Sequence, residues 1–494
     1  MITAAAPADA IGVAVLAEVA RTAIAGHGGA GEAAALAVRL LAEDAARRLV
    51  IDEESSTLEL SVDVDGTELV VQLRDRGEPV SGPPASLLAL VDLGLATAAD
   101  GRIDGTSNLS EIRVPLPSHG RLLDDAGLEV LTDDVALSDA PVTIRALEPG
   151  DAAALTRCIY RCYGWSYPGV DLYFPDRIAA SIDSGKRVGE VAVDELGEVA
   201  AHWGAVFVAD GVVETGGTVT DPRFRRRGLV NELGDRLLER LISMGVRGRM
   251  REPVLTHTAT QHIALREGAH MIGLRLNVTA PLQQVGITDG LMSTRLSLTV
   301  MFSPLTPLEP SVLWIPHLYE PLVRFVLEPT DWPLELATAR AASRDCPERS
   351  VLGSSYDAVN HLGAIEVSTV GDDLVDAVDE ALSQLRHGGA EVVVVRLPAN
   401  QPALATVGAG LGGLGLGFGA LLPDFGELGD TLELHWLRDP VVDTSEWHFA
   451  TEQVEQLARM IVDQAADLGD QATKIRRRLA RRQQLFAALP NTAD

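Results

Sequence analysis

The segment Thr218–Val230, TVTDPRFRRRGLV, gathers the residue types that hold an anion. A strand ending at Thr220 and a helix starting near Leu229 leave several backbone N–H groups at the helix start without intrahelical partners. The helix dipole adds partial positive charge at the same point, and Arg225, Arg226 and Arg227 add full charges. Gly228 has no Cβ, so the backbone can approach a phosphate closely. Together these features specify a pyrophosphate site. The alternative is a basic surface turn that caps a helix. Three consecutive arginines weigh against it in a chain with 41 Lys plus Arg and 70 Asp plus Glu.

The formal charge of −29 excludes a general nucleic-acid binder, which needs a basic face for phosphate contacts. Length, at 494 residues, predicts about three or four domains. Hydrophobic residues make up 46% and aromatics 4%, so Ala, Leu and Val must fill the cores. Cys158, Cys162 and Cys346 make no disulfide framework, and no second Cys/His pair matches the C-x3-C spacing. No metal is therefore expected. Ala10–Ala25 is apolar, but Glu18 and Arg21 interrupt it and no basic region precedes it. The expectation is a soluble cytoplasmic protein with no membrane contact.

The elements around the basic turn begin at Val142 with a strand and an amphipathic helix. Three strands follow, turning near Leu196-Gly197 and Asp210-Gly211, then the long helix, a strand at Pro253–His257 and a helix ending near Gly268. This order describes an α+β fold with a mixed sheet. Arg225, Gly228 and Val230 occupy the R-x-x-G-x-G/A positions of the acyl-CoA signature of the GNAT N-acyltransferase superfamily, which residues 141–282 resemble. Val230 crowds the place where the superfamily has Gly or Ala. The resemblance implies an acyl-CoA-dependent N-acetyltransferase with acetyl-CoA as co-substrate. Val219, Thr220, Arg225, Arg226, Arg227, Gly228, Leu229 and Val230 would hold the cofactor.

The resemblance also gives Glu214 a role as the base that deprotonates the acceptor amine, since an ammonium has no lone pair to attack a thioester. The other reading of Glu214 is an edge-strand surface charge. His257, at the end of the next strand, would bond the pantetheine, relay a proton or satisfy a backbone group. The superfamily's thiolate-protonating tyrosine is absent, because Ala264 stands four residues before Gly268. Tyr160, Tyr163 and Tyr167 cluster in the segment that shapes the acceptor pocket in that superfamily. The acceptor is a small-molecule or protein amine.

Residues 283–440 read as a second, degenerate GNAT-like domain: strand AIEVSTV, helix DLVDAVDEALSQLRHGG, strand EVVVVRLP and strand TLELHWL. No R-x-x-G-x-G run precedes its glycine-rich end, so this copy is expected to be inactive and to pair with the first. Gly408, Gly410 and Gly413 spell G-x-G-x-x-G but do not follow a first strand, so they read as close helix packing. A C-terminal helix over 445–490 carries Val454, Leu457, Ile461 and Ala465 on one face. It ends in the basic cluster Lys474, Arg476, Arg477, Arg478, Arg481 and Arg482.

Residues 1–120 read as two helices, at 11–25 and 32–49, then a hairpin through Asp65-Gly66, a short helix and a strand. With Asp75 and Gly77 in D-x-G-x-P, they resemble a degenerate histidine-kinase-like ATPase of the anti-sigma-factor kind, a Bergerat-like α/β sandwich. Its Mg²⁺-binding Asn would fall on Arg47, opposite Glu43, and a guanidinium cannot ligate a cation. The glycine-rich lid is missing as well, so ATP binding is not expected. Residues 121–140 form an Asp-rich linker. A regulatory protein partner for the N-terminal domain and a homodimer are both compatible with this reading. The alternative function is a non-catalytic acyl-CoA-binding scaffold.

Overall fold

The computed structural model describes residues 2–8, 10–23, 37–42, 45, 57–65, 68–80, 82–92, 95–115, 136–164, 166–288, 291–337, 346–357 and 360–487, the last stretch by backbone only from Arg476. Most of the expected second helix (32–49), including Glu43 and Arg47, and most of the 121–140 linker lie outside them. The chain divides into two units.

The first unit holds residues 1–136, 150–180 and 283–290. Strand β1 (Ile2–Pro7), helix α1 (Ala10–Ala23), β2 (Thr57–Asp65), β3 (Glu68–Asp75), α2 (Ala85–Asp92), β4 (Ala98–Asp104) and β5 (Ser107–Pro115) come in that order. The strands form an antiparallel sheet ordered β1-β2-β3-β5-β4. Alternation drives it: Leu58, Leu60 and Val62 of β2, Leu69, Val71 and Leu73 of β3 and Ile112 and Val114 of β5 are all buried. The two outer strands are additions to the sequence reading. β1 is ITAAAP and β4 is AADGRID, and neither alternates strongly enough to announce a strand.

The same unit includes α3 (Ala152–Tyr163) and most of α4 (Pro175–Asp183). There the Tyr163 and Tyr167 rings meet at a tilt of 57° with centres 4.7 Å apart, and the Tyr173 hydroxyl donates to Gly164 O at 2.6 Å. Burial pushes that phenol's pKa upward. Cys158 and Cys162 are buried thiols.

The second unit is built on one twelve-stranded mixed sheet. Its first half runs β6 (Val142–Ala146), β7 (Arg187–Asp194), β8 (Val199–Ala209), β9 (Val212–Thr220), α5 (Leu229–Ser243), β10 (Gly248–Arg251), α6 (Ala259–Arg266), β11 (His270–Thr279) and β12 (Leu296–Pro304). Its second half runs β13 (Ser311–Leu313), α7 (Glu320–Leu327), β14 (Leu334–Leu336), β15 (Val351–Asp357), β16 (Leu362–Thr369), α8 (Leu374–His387), β17 (Val392–Pro398), β18 (Gly417–Leu422), β19 (Thr431–Leu437) and α9 (Glu452–Ala487). The sheet order is β15-β16-β17-β19-β18-β11-β12-β10-β9-β8-β7-β6, with β13 and β14 paired apart from it.

That order contains a repeat. From the centre outward, β11-β12-β10-β9-β8 and β18-β19-β17-β16-β15 use the same pairings: one parallel pair, joined through a helix, with antiparallel neighbours on both sides. The two runs meet where β11 lies against β18, which makes the sheet a pseudo-symmetric pair.

Two details depart from the sequence reading. The strand over Leu296–Pro304, which falls inside the 283–440 stretch read as the second domain, is hydrogen-bonded between β10 and β11 of the first half. The strand expected at Pro253–His257 lies earlier, at Gly248–Arg251. All four of its residues, GRMR, are buried, and two buried arginines disguise a central strand as surface.

The β11–β18 seam is narrow. Its one register pair is Gly273 with Ala420, and a Cβ on Gly273 would overlap Gly419 O and Ala420 Cα. Beside it, Arg275 grips Glu433 from across the seam with Nε–Oε1 and Nη2–Oε2 both at 2.7 Å, and it also contacts Glu252. Arg396 Nε adds a bond to Glu433 Oε2 at 3.2 Å. Glu433 is only 1% exposed. Burial alone would raise its pKa, but Arg275 and then Arg396 outweigh that and hold it at about 2.

Helix α9 covers the seam with Val454, Leu457, Ile461 and Ala465, all buried as the helical spacing requires. Gln464 Oε1 accepts from Phe418 N at 2.8 Å. Among the described helices, none is long and apolar enough to cross a membrane.

Gly273→Val should therefore cost about 2 kcal/mol or more by overpacking the seam. Gly413→Ala, where a Cβ meets nothing within 4 Å, serves as the control. Chemical denaturation of both variants checks this, and equal midpoints would refute the seam's tightness.

Acid should act in two stages. Burial, only partly offset by Glu433, holds the His435 imidazole down at about 4. The unfolded chain then takes a proton that the fold refuses, so stability falls as pH drops from about 6.5 towards about 4. Glu433 adds its own loss below about 4.5. Melting temperature against pH reads this out, and His435→Leu should flatten the upper stage.

Candidate functional site

Strands β9 and β10 run parallel for the pairs Val212–Gly248, Val213–Arg249 and Glu214–Met250, and there the ladder stops. β9 continues through Thr215–Thr220 paired with β8. A fork opens between the two strands. Glu214 sits at its apex, half-buried, and within electrostatic reach of Arg275. The Thr215 hydroxyl closes the apex with a 3.3 Å bond to Met250 O.

At the other end of the same strand Asp221, fully buried, fixes the turn. Its Oδ1 accepts from Arg223 N at 3.0 Å, and its carboxylate forms a bidentate pair with the Arg223 guanidinium at 2.9 and 2.7 Å. The next residues contort: Arg226 has φ 65° and Gly228 φ 72°. A left-handed arginine costs of order 1–2 kcal/mol, strain that recurs at ligand-binding turns. Gly228 then caps α5 with no side-chain bond, so no capping side chain satisfies the first backbone N–H groups of that helix.

Val219 is buried and Thr220 half-buried on β9, Leu229 is buried at the helix start, and Val230 packs against the core beneath α5. Arg225 is half-buried in extended backbone. Arg227 is committed elsewhere: its Nη1 donates to Ala140 O at 2.8 Å and Ser138 O at 3.2 Å. The structure thus brings Glu214 and the residues expected to hold a cofactor onto one strand and the turn that follows it.

His257 is placed differently from its expected position. Because β10 ends at Arg251, His257 ends no strand, and it faces the second half. His448 N donates to Leu255 O at 2.7 Å, and Gln261 Nε2 donates to both His448 O and His257 O. Burial and then the neighbouring His448 lower the His257 pKa, which favours the neutral imidazole. Ala264 is buried in the core and brings no hydroxyl.

The second half repeats the fork but fills it. Its parallel ladder ends at Glu366–Arg396. Beyond that pair, the Gln401 side chain bonds the β16 edge, with Nε2 to Ser368 O at 2.9 Å and Oε1 from Val370 N at 2.8 Å. The turn before α8 carries Asp372 and Asp373 where the first half carries arginines. Ser350 occupies it through Gly371 N–Ser350 Oγ at 2.9 Å and Ser350 N–Asp373 Oδ1 at 2.6 Å. Gly408 and Gly410 lie against Pro316 and Val375, as close packing demands, whereas Gly413 is exposed with nothing near its Cβ position, contrary to the expectation for it.

In the N-terminal sheet, Asp75 is 2% exposed. Its Oδ1 accepts from Gly77 N at 2.9 Å and Asn108 Nδ2 at 2.7 Å, while Asn108 Oδ1 accepts from Val80 N at 3.1 Å. The carboxylate that would read an adenine is clasped to its own loop.

No protein-family model matches the chain, and no curated protein does. Among solved structures, GNAT acetyltransferases align with about a third of it. One is a GNAT superfamily phosphinothricin acetyltransferase from Sinorhizobium meliloti in complex with AcCoA: 19% identity, 33% of this chain and 88% of that one, TM-score 0.27. Another is a putative acetyltransferase from Salmonella typhimurium with its cofactor acetyl-CoA: 17% identity, 34% and 97%, TM-score 0.29. A third is the ribosomal-protein-S18-alanine N-acetyltransferase from Escherichia coli: 19% identity, 34% and 97%, TM-score 0.28.

The clasped Asp75 predicts that ATP with Mg²⁺ leaves the melting temperature unchanged, and a clear Mg²⁺-dependent rise would overturn this.

Proposed function

We propose that the first half of the large sheet is an acyl-CoA-dependent N-acyltransferase acting on an amine, with acetyl-CoA as the donor to test first. The observation that carries this reading is the open β9 edge, with a carboxylate at its apex and a strained, basic helix-capping turn at its far end. Thr215–Thr220 spans about 20 Å at about 3.3 Å per residue, the scale of a pantetheine arm. Backbone groups along that edge would bond the arm's amides. The turn at Arg225–Gly228 and the start of α5 would take the pyrophosphate.

Glu214 is the candidate base. It takes the ammonium's proton, directly or through water, and the freed lone pair attacks the thioester carbonyl. A C–N bond forms, the C–S bond breaks with its electron pair on sulfur, and the nitrogen releases its second proton to solvent. With Ala264 in place of a hydroxyl donor, the thiolate collects its proton from solvent. His257, turned towards His448, is assigned no step. The second half, its fork occupied by Gln401, would serve as scaffold. Residues 1–120 would form a pseudo-ATPase module that docks a regulatory protein rather than a nucleotide.

Acetyl-CoA should raise the melting temperature of the wild-type protein, and Arg225→Ala combined with Gly228→Pro should abolish the rise. Absence of any rise in the wild type would sink the cofactor assignment. Glu214→Gln should keep the rise but lower kcat by about 10²–10⁴-fold in a CoA-release assay against polyamine, amino-acid and Lys-peptide acceptors. Saturable binding without turnover across that panel would favour a non-catalytic acyl-CoA binder.

A further inference from the structure

The mechanism above leaves two buried arginines unused. Arg249 is 1% and Arg251 5% exposed, and both lie on β10 beside the fork. Arg249 Nε donates to Thr215 Oγ1 at 3.3 Å, one residue past the last ladder pair. Its guanidinium carbon lies 5.7 Å from the Trp203 ring centre, and Trp203 is pressed against Gly234 of α5. Both guanidiniums share one carboxylate, Glu267, just past α6. Arg249 Nη1 reaches its Oε2 at 2.6 Å, and Arg251 Nη2 contacts the same oxygen.

That leaves donors without acceptors. Arg249 Nη2, Arg251 Nε, Arg251 Nη1 and Trp203 Nε1 are buried with no hydrogen-bond partner. Guanidinium and indole nitrogens can only donate. Two cations against one carboxylate also leave one positive charge unbalanced, on guanidiniums that are almost wholly buried while Glu267 reaches the surface at 23% exposure. Each unmet bond to a charged group there costs about 1–3 kcal/mol or more. Burial brings Arg249 down to about 10, and burial with the charge of Arg249 brings Arg251 to about 9. Four such donors around one carboxylate match the chemistry of an anion with several acceptor oxygens.

Position decides which anion. On the acyl-CoA reading, which this inference rests on, the phosphates lie at the Arg225–Gly228 turn, the far end of β9. The thioester lies at the apex, beside Glu214 and Thr215. The groups near Arg249 and Arg251 are therefore those of the acyl chain. An acetyl group ends in a methyl and offers these donors nothing.

We propose that the fork is built for an acyl-CoA whose acyl chain ends in a carboxylate, a dicarboxylic monothioester of the malonyl or succinyl class, held between Arg249 and Arg251. Glu267 orients the two guanidiniums, and the incoming carboxylate supplies the second negative charge.

Calorimetric titration of the full-length protein with CoA, acetyl-CoA and succinyl-CoA tests this. Succinyl-CoA should bind at least about tenfold more tightly than acetyl-CoA, the worth of one charge-assisted bond. Arg251→Met should bring that ratio to within twofold of one. Should that variant fail to fold, the wild-type ratio decides by itself. Equal affinities for the two thioesters in the wild type, with CoA still binding, would overturn the carboxylate site and leave the acyl-CoA reading intact. Failure of CoA and of both thioesters to bind would overturn that reading, and this proposal with it.

Discussion

The large sheet depends on the grip of Arg275 on Glu433. Twelve strands are continuous only because β11 and β18 meet, and they meet through one backbone register pair at a glycine. A junction that thin has little ladder energy of its own. The bidentate pair beside it is buried, so its charges have surrendered their hydration and neither can do without the other. The chain of contacts then runs outward from Glu433: to Arg396 and Glu366 at the apex of the second fork, and through Arg275 towards Glu252 and Glu214 at the apex of the first. Alternating charges link the two forks through the centre of the molecule.

The forks themselves show how one strand order can have two uses. A parallel pair that stops early must leave backbone groups of the longer strand without a ladder partner, and buried backbone groups must be satisfied somehow. In the second half Gln401 does this with its own amide, and Ser350 with Asp373 fills the turn. The first half keeps its arginines and a left-handed Arg226 at the matching turn. The difference between a filled copy and an open one lies in a few side chains, not in the architecture.

Much of this was legible in the sequence. Period-two alternation located β2, β3, β7, β8 and β9, and Asp-Gly and Leu-Gly turns placed their ends. The TVTDPRFRRRGLV segment marked a strand-to-helix turn, and Glu214 stood on the strand before it. What stayed hidden shares one cause. β10 carries Arg249 and Arg251 in the middle of a sheet, and a charged strand reads as surface unless its partner, Glu267, is known to lie above it. The misplacement of β10 carried His257 with it. Likewise β12 is inserted between β10 and β11, an order that no local pattern encodes. The closing of the second fork by Gln401 depends on a loop folding back on a strand more than thirty residues earlier in the chain, again beyond any local signal.

The partner of Arg275 lies 158 positions further along the chain. A chain emerging from the ribosome can therefore complete every strand of the first half and still present Arg275 with half its counter-charge missing. Contacts of such long sequence separation form late, after loop-closure entropy has been overcome. During synthesis, which proceeds at about 5–20 residues per second, many seconds separate Arg275 from the strand that carries Glu433. The seam thus ties the charge network of the first copy to a strand that is made much later in the chain.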